Sequence, residues 1–131
     1  PSAASAPPRR FVTLADGRRL FYREYGVGSG RPTLYFHVGS AASFLMPPLV
    51  RAIIAANLRV IAFDRPGFGQ SSPSEPYTLE SVATDAEALL DQLGLRSVGF
   101  LGDGNGGAFA IAAAARLRER VRCIALRAPS R

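Results

Sequence analysis

The sequence predicts an α/β fold: an open, mostly parallel sheet with helices on both faces and an antiparallel hairpin at its N-terminal end. Three observations predict this class, namely four short apolar runs, helical periodicity between them, and a hairpin signal before them. Strands inside a parallel sheet are apolar on both alternating faces because helices cover both. Strands that alternate with helices therefore favour a single layered domain.

The hairpin is predicted around Asp16-Gly17. This dipeptide stands between RFVTLA and RRLFYREYG, and Asp-Gly between apolar runs is typical of a turn that joins antiparallel strands. The four apolar runs that follow are the predicted parallel strands, at 33–37, 60–63, 98–101 and 123–127.

Helices are predicted between these strands. The clearest covers 78–93, where leucine, valine and alanine recur at helical spacing, with Thr78 as the N-cap and Gly94 just beyond the last turn. Shorter helices are predicted at 47–57 and from about 105 to 118.

Composition bounds the kind of protein. The 131 residues suit one domain at 10–131, preceded by a Pro/Ala/Ser-rich tail or linker at 1–9. All 16 basic residues are arginine, and the net charge is +6. The arginine cluster near the C-terminus is interpreted as a solvated face, so no nucleic-acid partner is expected. Cys123 is the only cysteine, and no signal peptide or membrane span is recognisable, so a cytoplasmic location and no membrane partner are expected.

Ligands of open α/β sheets bind at the carboxyl ends of the strands, which directs attention to three loops. These loops are HVGS at 37–40, DRPGFGQSS at 64–72 and GDGNGG at 102–107. Occurring in this order on successive strands, they resemble the N-terminal half of the α/β-hydrolase fold, in its branch of small esterase-like and peptidase-like enzymes. The resemblance runs from about Arg10 to the end of the chain.

The resemblance implies roles for the first loop. In this family the loop supplies a backbone N–H to the oxyanion hole, here from Val38 or Gly39, and the ligand-binding set would include Ser40 and Asn105. His37 matches a loop histidine that is structural and not the catalytic base. The family usually has His-Gly where this chain has His37-Val38, which would let the backbone approach a ligand less freely.

The second loop is expected to be structural. Asp64 matches an aspartate that braces the turn, and it is not predicted to be the catalytic acid. Gly67 and Gly69 would permit the tight turn that follows it.

The third loop has the spacing of a nucleophile elbow, small-x-nucleophile-x-small. Gly102 and Gly106 fill the small positions, so Gly104 stands at the nucleophile position. A frame shifted by one residue would make Asp103 the nucleophile, as in haloalkane dehalogenases, but it would put Leu101 at a small position. Glycine has no side chain to attack a carbonyl, and this predicts a missing nucleophile.

Two further deficits follow from the resemblance. The acid and the histidine of the triad come after the elbow in this family, and their counterparts would lie beyond Arg131. The chain as given is therefore expected to be an inactive, N-terminal portion of an esterase- or amidase-like protein, with no cofactor and no metal. GDGNGG also satisfies G-x-G-x-x-G, but it follows the third buried strand and not the first, which disfavours a dinucleotide site.

A second function stays open: a small-molecule sensor or protein-interaction module on a hydrolase scaffold. Its pocket would be formed by the first loop, Phe68 and the amides near Asn105, and would take an ester-like or anionic ligand. The edge of the last strand, near 123–127, is expected to be open, which would favour a second polypeptide or self-association.

Overall fold

A computed structural model describes residues 6–39 and 41–127, and within them six strands and three helices form one layered α/β unit. The strands are β1 (Arg10–Thr13), β2 (Arg19–Gly26), β3 (Arg31–Phe36), β4 (Leu58–Phe63), β5 (Val98–Asp103) and β6 (Val121–Arg127). The helices are α1 (Pro47–Ala55), α2 (Leu79–Gln92) and α3 (Gly106–Arg116).

The strands form a single sheet in the order β1-β2-β4-β3-β5-β6. β1 and β2 are an antiparallel hairpin, β2 pairs antiparallel with β4, and β4, β3, β5 and β6 are mutually parallel. In the central strand, Phe36 is in register with Phe63 of β4 and with Gly102 of β5. The carboxyl ends of three strands are therefore level, and the three loops of interest leave the sheet at the same edge.

Helices cover both faces, as predicted. α1 packs against β2 and β4, where Val50 and Ile53 join the cluster around Tyr25, Tyr35 and Val60. α2 and α3 pack together on the opposite face, over a larger core centred on three phenylalanines. The Phe36 ring lies edge-on to those of Phe63 and Phe100, with centroids 5.3 and 5.1 Å away.

The ends of α2 follow the sequence signals closely. The Thr78 side chain accepts from the Ser81 amide, the Ser81 hydroxyl accepts from the Thr78 amide, and Gly94 has a φ of +71°. The other boundaries differ slightly. α1 ends at Ala55 because Asn57 turns the chain with a φ of +57°, and β6 begins at Val121, two residues before the predicted start.

β6 is an edge strand, and the side chains of Ile124 and Leu126 are 41% and 52% exposed. The association predicted for this edge stays a prediction. Arg116 and Arg120 pair with Glu87 and Asp91 of α2, so part of the basic cluster is neutralised. None of the helices in the described ranges is long and apolar enough to cross a membrane.

Candidate active site

The turn between β5 and α3 reverses the chain within two residues. β5 ends at Asp103 and α3 begins at Gly106, and between them Gly104 has a φ of +56°. The Gly104 amide donates to the carbonyl of Arg127 at 2.9 Å, and the Gly104 carbonyl accepts from the amide of Gly107 at 3.0 Å. A positive φ costs most residues about 1–2 kcal/mol, and glycine avoids that cost.

Steric constraints flank this turn on both sides. A Cβ at position 102 would lie 2.7 Å from the Cα of Gly107. A Cβ at position 106 would overlap the carbonyl oxygen of Phe36 and lie 2.5 Å from that of His37. α3 therefore lies too close to β5 and to the end of β3 for side chains at these two positions, and close approach of this kind is the physical reason for the small residues of an elbow.

Asp103, the alternative nucleophile, lies within β5. Its Oδ2 accepts a hydrogen bond from the Tyr35 hydroxyl at 2.8 Å, and its Oδ1 is 3.7 Å from Nε of Arg127. Burial and this hydrogen bond raise the pKa of Tyr35 above its ordinary value. The carboxylate thus belongs to a polar cluster on the α1 face of the sheet.

A cavity of about 380 Å³ adjoins this cluster. Tyr35, Asp103 and Arg127 line its polar side, and Val38 lies at the first loop. The remaining lining residues are apolar: Ala41, Phe44, Leu45, Met46, Pro48 and Leu49. The recess therefore joins an apolar wall to a polar rim beside the first loop.

The first and third loops touch directly. The Gly39 amide donates to Oδ1 of Asn105 at 2.8 Å, across 66 positions of the chain. Asn105 precedes α3 but makes no side-chain cap bond to it, and Val38 is exposed. The structure therefore brings together three of the four predicted ligand-binding residues, while Ser40 lies outside the described residues.

His37 is fully buried beneath this loop. Its Nε2 accepts from the backbone amide of Arg65 at 3.1 Å and from the Arg65 Nε at 3.3 Å. Burial, reinforced by the Arg65 charge, lowers the pKa of His37 to about 4. The ring is consequently neutral near pH 7 and joins the first loop to the second.

Asp64 makes a second connection between the same loops. Its buried carboxylate accepts from the amides of Ser43 (2.6 Å) and Gln70 (3.3 Å) and from Nε of Arg9 (3.2 Å). A Cβ at Gly69 would overlap this carboxylate, and Gly67 also has a positive φ, of +83°. Its hydrogen bonds are those of a group that fixes loops.

Two residues of this region were missed by the sequence reasoning. Arg65 is 1% exposed, and burial lowers the pKa of its guanidinium. Tyr25 donates to the carbonyl of Ser43 at 2.7 Å and accepts from the amide of Leu45 at 3.1 Å. Neither has a sequence signal, since arginines are mostly exposed and a strand tyrosine is usually a packing residue. In the described ranges no group of three His, Cys, Asp or Glu side chains could hold a metal ion.

Known proteins share this sequence pattern. The chain is 36% identical to a non-heme haloperoxidase of Rhodococcus erythropolis over 98 residues, which is 74% of this chain and 35% of that protein. It is 36% identical to a haloalkane dehalogenase of Agrobacterium fabrum over 103 residues, 78% of this chain and 34% of that protein. It therefore spans roughly a third of the length of such relatives.

Solved structures share the fold. A hydrolase from Pseudomonas aeruginosa PA01 superposes with a TM-score of 0.83 at 28% identity, covering 93% of this chain and 46% of that one. A serine-to-glycine mutant of the N-acyl homoserine lactonase AidH, complexed with N-hexanoyl homoserine lactone, gives 0.78 at 28% identity, with 91% and 44% covered. The sequence model of the alpha/beta hydrolase fold matches residues 30–131. The chain belongs to the α/β-hydrolase family.

Proposed function

We propose that this chain is the part of a hydrolase domain that holds a carbonyl- or carboxylate-bearing small molecule without forming a covalent intermediate. The observation that carries the proposal is Gly104, which lies at the turn between β5 and α3 with a φ of +56°. Nucleophilic hydrolases attack from a side chain at this turn, and removal of such a nucleophile costs several orders of magnitude in rate.

The frame of the elbow supports this assignment. Gly102 and Gly106 both lie where a Cβ would collide with neighbouring backbone, and Gly104 is midway between them. The shifted frame would place Leu101 at a small position and would use Asp103, whose carboxylate is bonded to Tyr35.

The donors around the turn favour an oxygen-bearing ligand. The Gly39 amide donates to an oxygen atom, Oδ1 of Asn105, and a ligand carbonyl or carboxylate would take the place of that side-chain oxygen. The amides at the start of α3 add partial positive charge to the same region. In the AidH mutant a serine is replaced by glycine, and that protein is complexed with N-hexanoyl homoserine lactone. This similarity supports ligand binding by a protein of this fold in which glycine has replaced a serine.

Ester and epoxide turnover test the proposal. The wild-type protein is expected to hydrolyse p-nitrophenyl butyrate and styrene oxide at the buffer rate. Gly104→Ser places a hydroxyl at the turn, and Gly28→Ser is its matched control because nothing lies within 4 Å of a Cβ at position 28. Wild-type turnover of either substrate that Asp103→Asn abolishes would refute the proposal and favour the shifted frame.

A further inference from the structure

Arg65 is a buried cation with no acidic partner among the residues that the structure describes. It is 1% exposed, and within residues 6–39 and 41–127 its NH1 nitrogen has no hydrogen-bond acceptor. The neighbouring Asp64 carboxylate is occupied by the amides of Ser43 and Gln70 and by Arg9. Arginine is almost never fully buried unless it is paired, because the desolvation of the charge is costly. The unsatisfied nitrogen therefore calls for an explanation.

Two aromatic rings flank the guanidinium, and a third ring adjoins both of them. Its Cζ lies 4.3 Å from the ring centroid of Phe109 and 5.3 Å from that of Phe68. The Tyr77 ring is next to both, with centroids 5.6 Å from Phe109 and 6.3 Å from Phe68. We call Phe68, Tyr77 and Phe109 the aromatic cage. Cation–π attraction offsets part of the burial cost, but a ring face does not replace an oxygen acceptor for NH1.

The cage adjoins the predicted ligand site. His37, which contacts the guanidinium, immediately precedes Val38 and Gly39 of the first loop, and Phe109 lies in the first turn of α3. Tyr77 is 40% exposed, and exposed side chains change rotamer within nanoseconds. Tyr77 is the most exposed ring of the cage, so a ligand would approach the guanidinium past it.

We propose that Arg65 binds the carboxylate of a small aryl or acyl acid whose apolar part lies against the aromatic cage. A carboxylate oxygen accepts from NH1, which completes the hydrogen bonding of the guanidinium. The inference rests on the proposed non-covalent function and deepens it by assigning the ligand a negative charge. It concerns binding alone and involves no bond making or breaking.

Calorimetric titration of the protein with phenylacetate and with phenylacetamide tests this inference. The two probes have nearly the same shape and differ in charge, so the comparison in wild type needs no variant. A hydrogen bond to a charged group contributes about 1.5–3 kcal/mol, so phenylacetate is expected to bind roughly 10- to 100-fold more tightly than the amide. Arg65→Met should abolish the preference, and Arg96→Met, at an exposed arginine, should retain it.

Equal affinities of wild type for the acid and the amide, including no binding of either, would overturn the inference. So would an unchanged preference in folded Arg65→Met. The proposed function fails by a different measurement, the wild-type turnover of an ester or epoxide through a side chain at the elbow. A protein that cleaves esters and does not distinguish the acid from the amide would fail both tests. A protein that cleaves no ester and does not distinguish the two probes would fail only the binding test.

Discussion

Gly106→Ala should destabilise the fold strongly, although alanine is the better helix former. Position 106 is the first residue of α3, and its Cβ would overlap the carbonyl oxygen of Phe36 and lie 2.5 Å from that of His37, where ordinary contacts begin near 3.4 Å. Phe36 belongs to the central strand and is fully buried, so relief requires a backbone shift of about 1 Å at the middle of the sheet. Overpacking costs about 1–3 kcal/mol, and the gain in helix propensity offsets roughly 1 kcal/mol of this. Because the collision involves backbone atoms, the cost lies at the upper end of the range, and the expected loss of stability is near ~2 kcal/mol.

Urea unfolding followed by circular dichroism measures this loss. With an m-value of about 1–3 kcal/mol per molar urea, the midpoint should fall by roughly 1 M. Gly28→Ala is the matched control, because position 28 is exposed, has open space around a Cβ and has no positive φ, so its effect should stay within about 0.5 kcal/mol. Equal midpoints for the two variants would refute the close approach of α3 to the end of β3, on which the elbow assignment depends.

Three further predictions concern the loops. The pKa of His37 is lowered to about 4 from an ordinary 6.5, so the contribution of the neutral ring to stability is present above pH 6.5 and is lost as the pH falls toward 4. His37→Gln should therefore flatten the dependence of the urea midpoint on pH over that window. An unchanged slope of midpoint against pH would count against the burial of a neutral ring. Asp64→Asn should cost about 2 kcal/mol or more in urea unfolding, because the charged acceptor of the Ser43 amide is lost, and a neutral result would exclude a bracing role. Asn105→Leu should speed hydrogen exchange at the Gly39 amide about fivefold, the equivalent of one net hydrogen bond, and unchanged exchange would show that Oδ1 does not protect it.

The sequence predicted the elements that depend on local signals. The capping pair of Thr78 and Ser81, the buried parallel strands and the Asp16-Gly17 hairpin each have a pattern that is readable within a few residues. The level carboxyl ends of β3, β4 and β5 followed from the alternation of strands and helices. The spacing of Gly102 and Gly106 likewise carried steric information, because only a close approach of the chain requires glycine at both positions.

The contacts between loops could not be predicted. The bond from Gly39 to Asn105 joins residues 66 positions apart, and nothing in either neighbourhood marks it. Arg65 reads as one more surface arginine in a chain with 16 of them, and its burial depends on Phe68 of its own loop and on Phe109, which α3 contributes from far along the chain. Such contacts are set by the tertiary fold, so only the structure could bring Arg65 into consideration as a ligand-binding residue.

The most direct test of the central claim is intact-mass spectrometry of the wild-type protein, quenched during incubation with p-nitrophenyl butyrate and, separately, with styrene oxide. The proposed assignment of Gly104 to the nucleophile position predicts no covalent adduct with either compound, since glycine has no side chain to form one. An acyl or alkyl adduct that maps to residues 102–107, with Asp103 as the modified residue, would contradict the assignment of Gly104 to the nucleophile position.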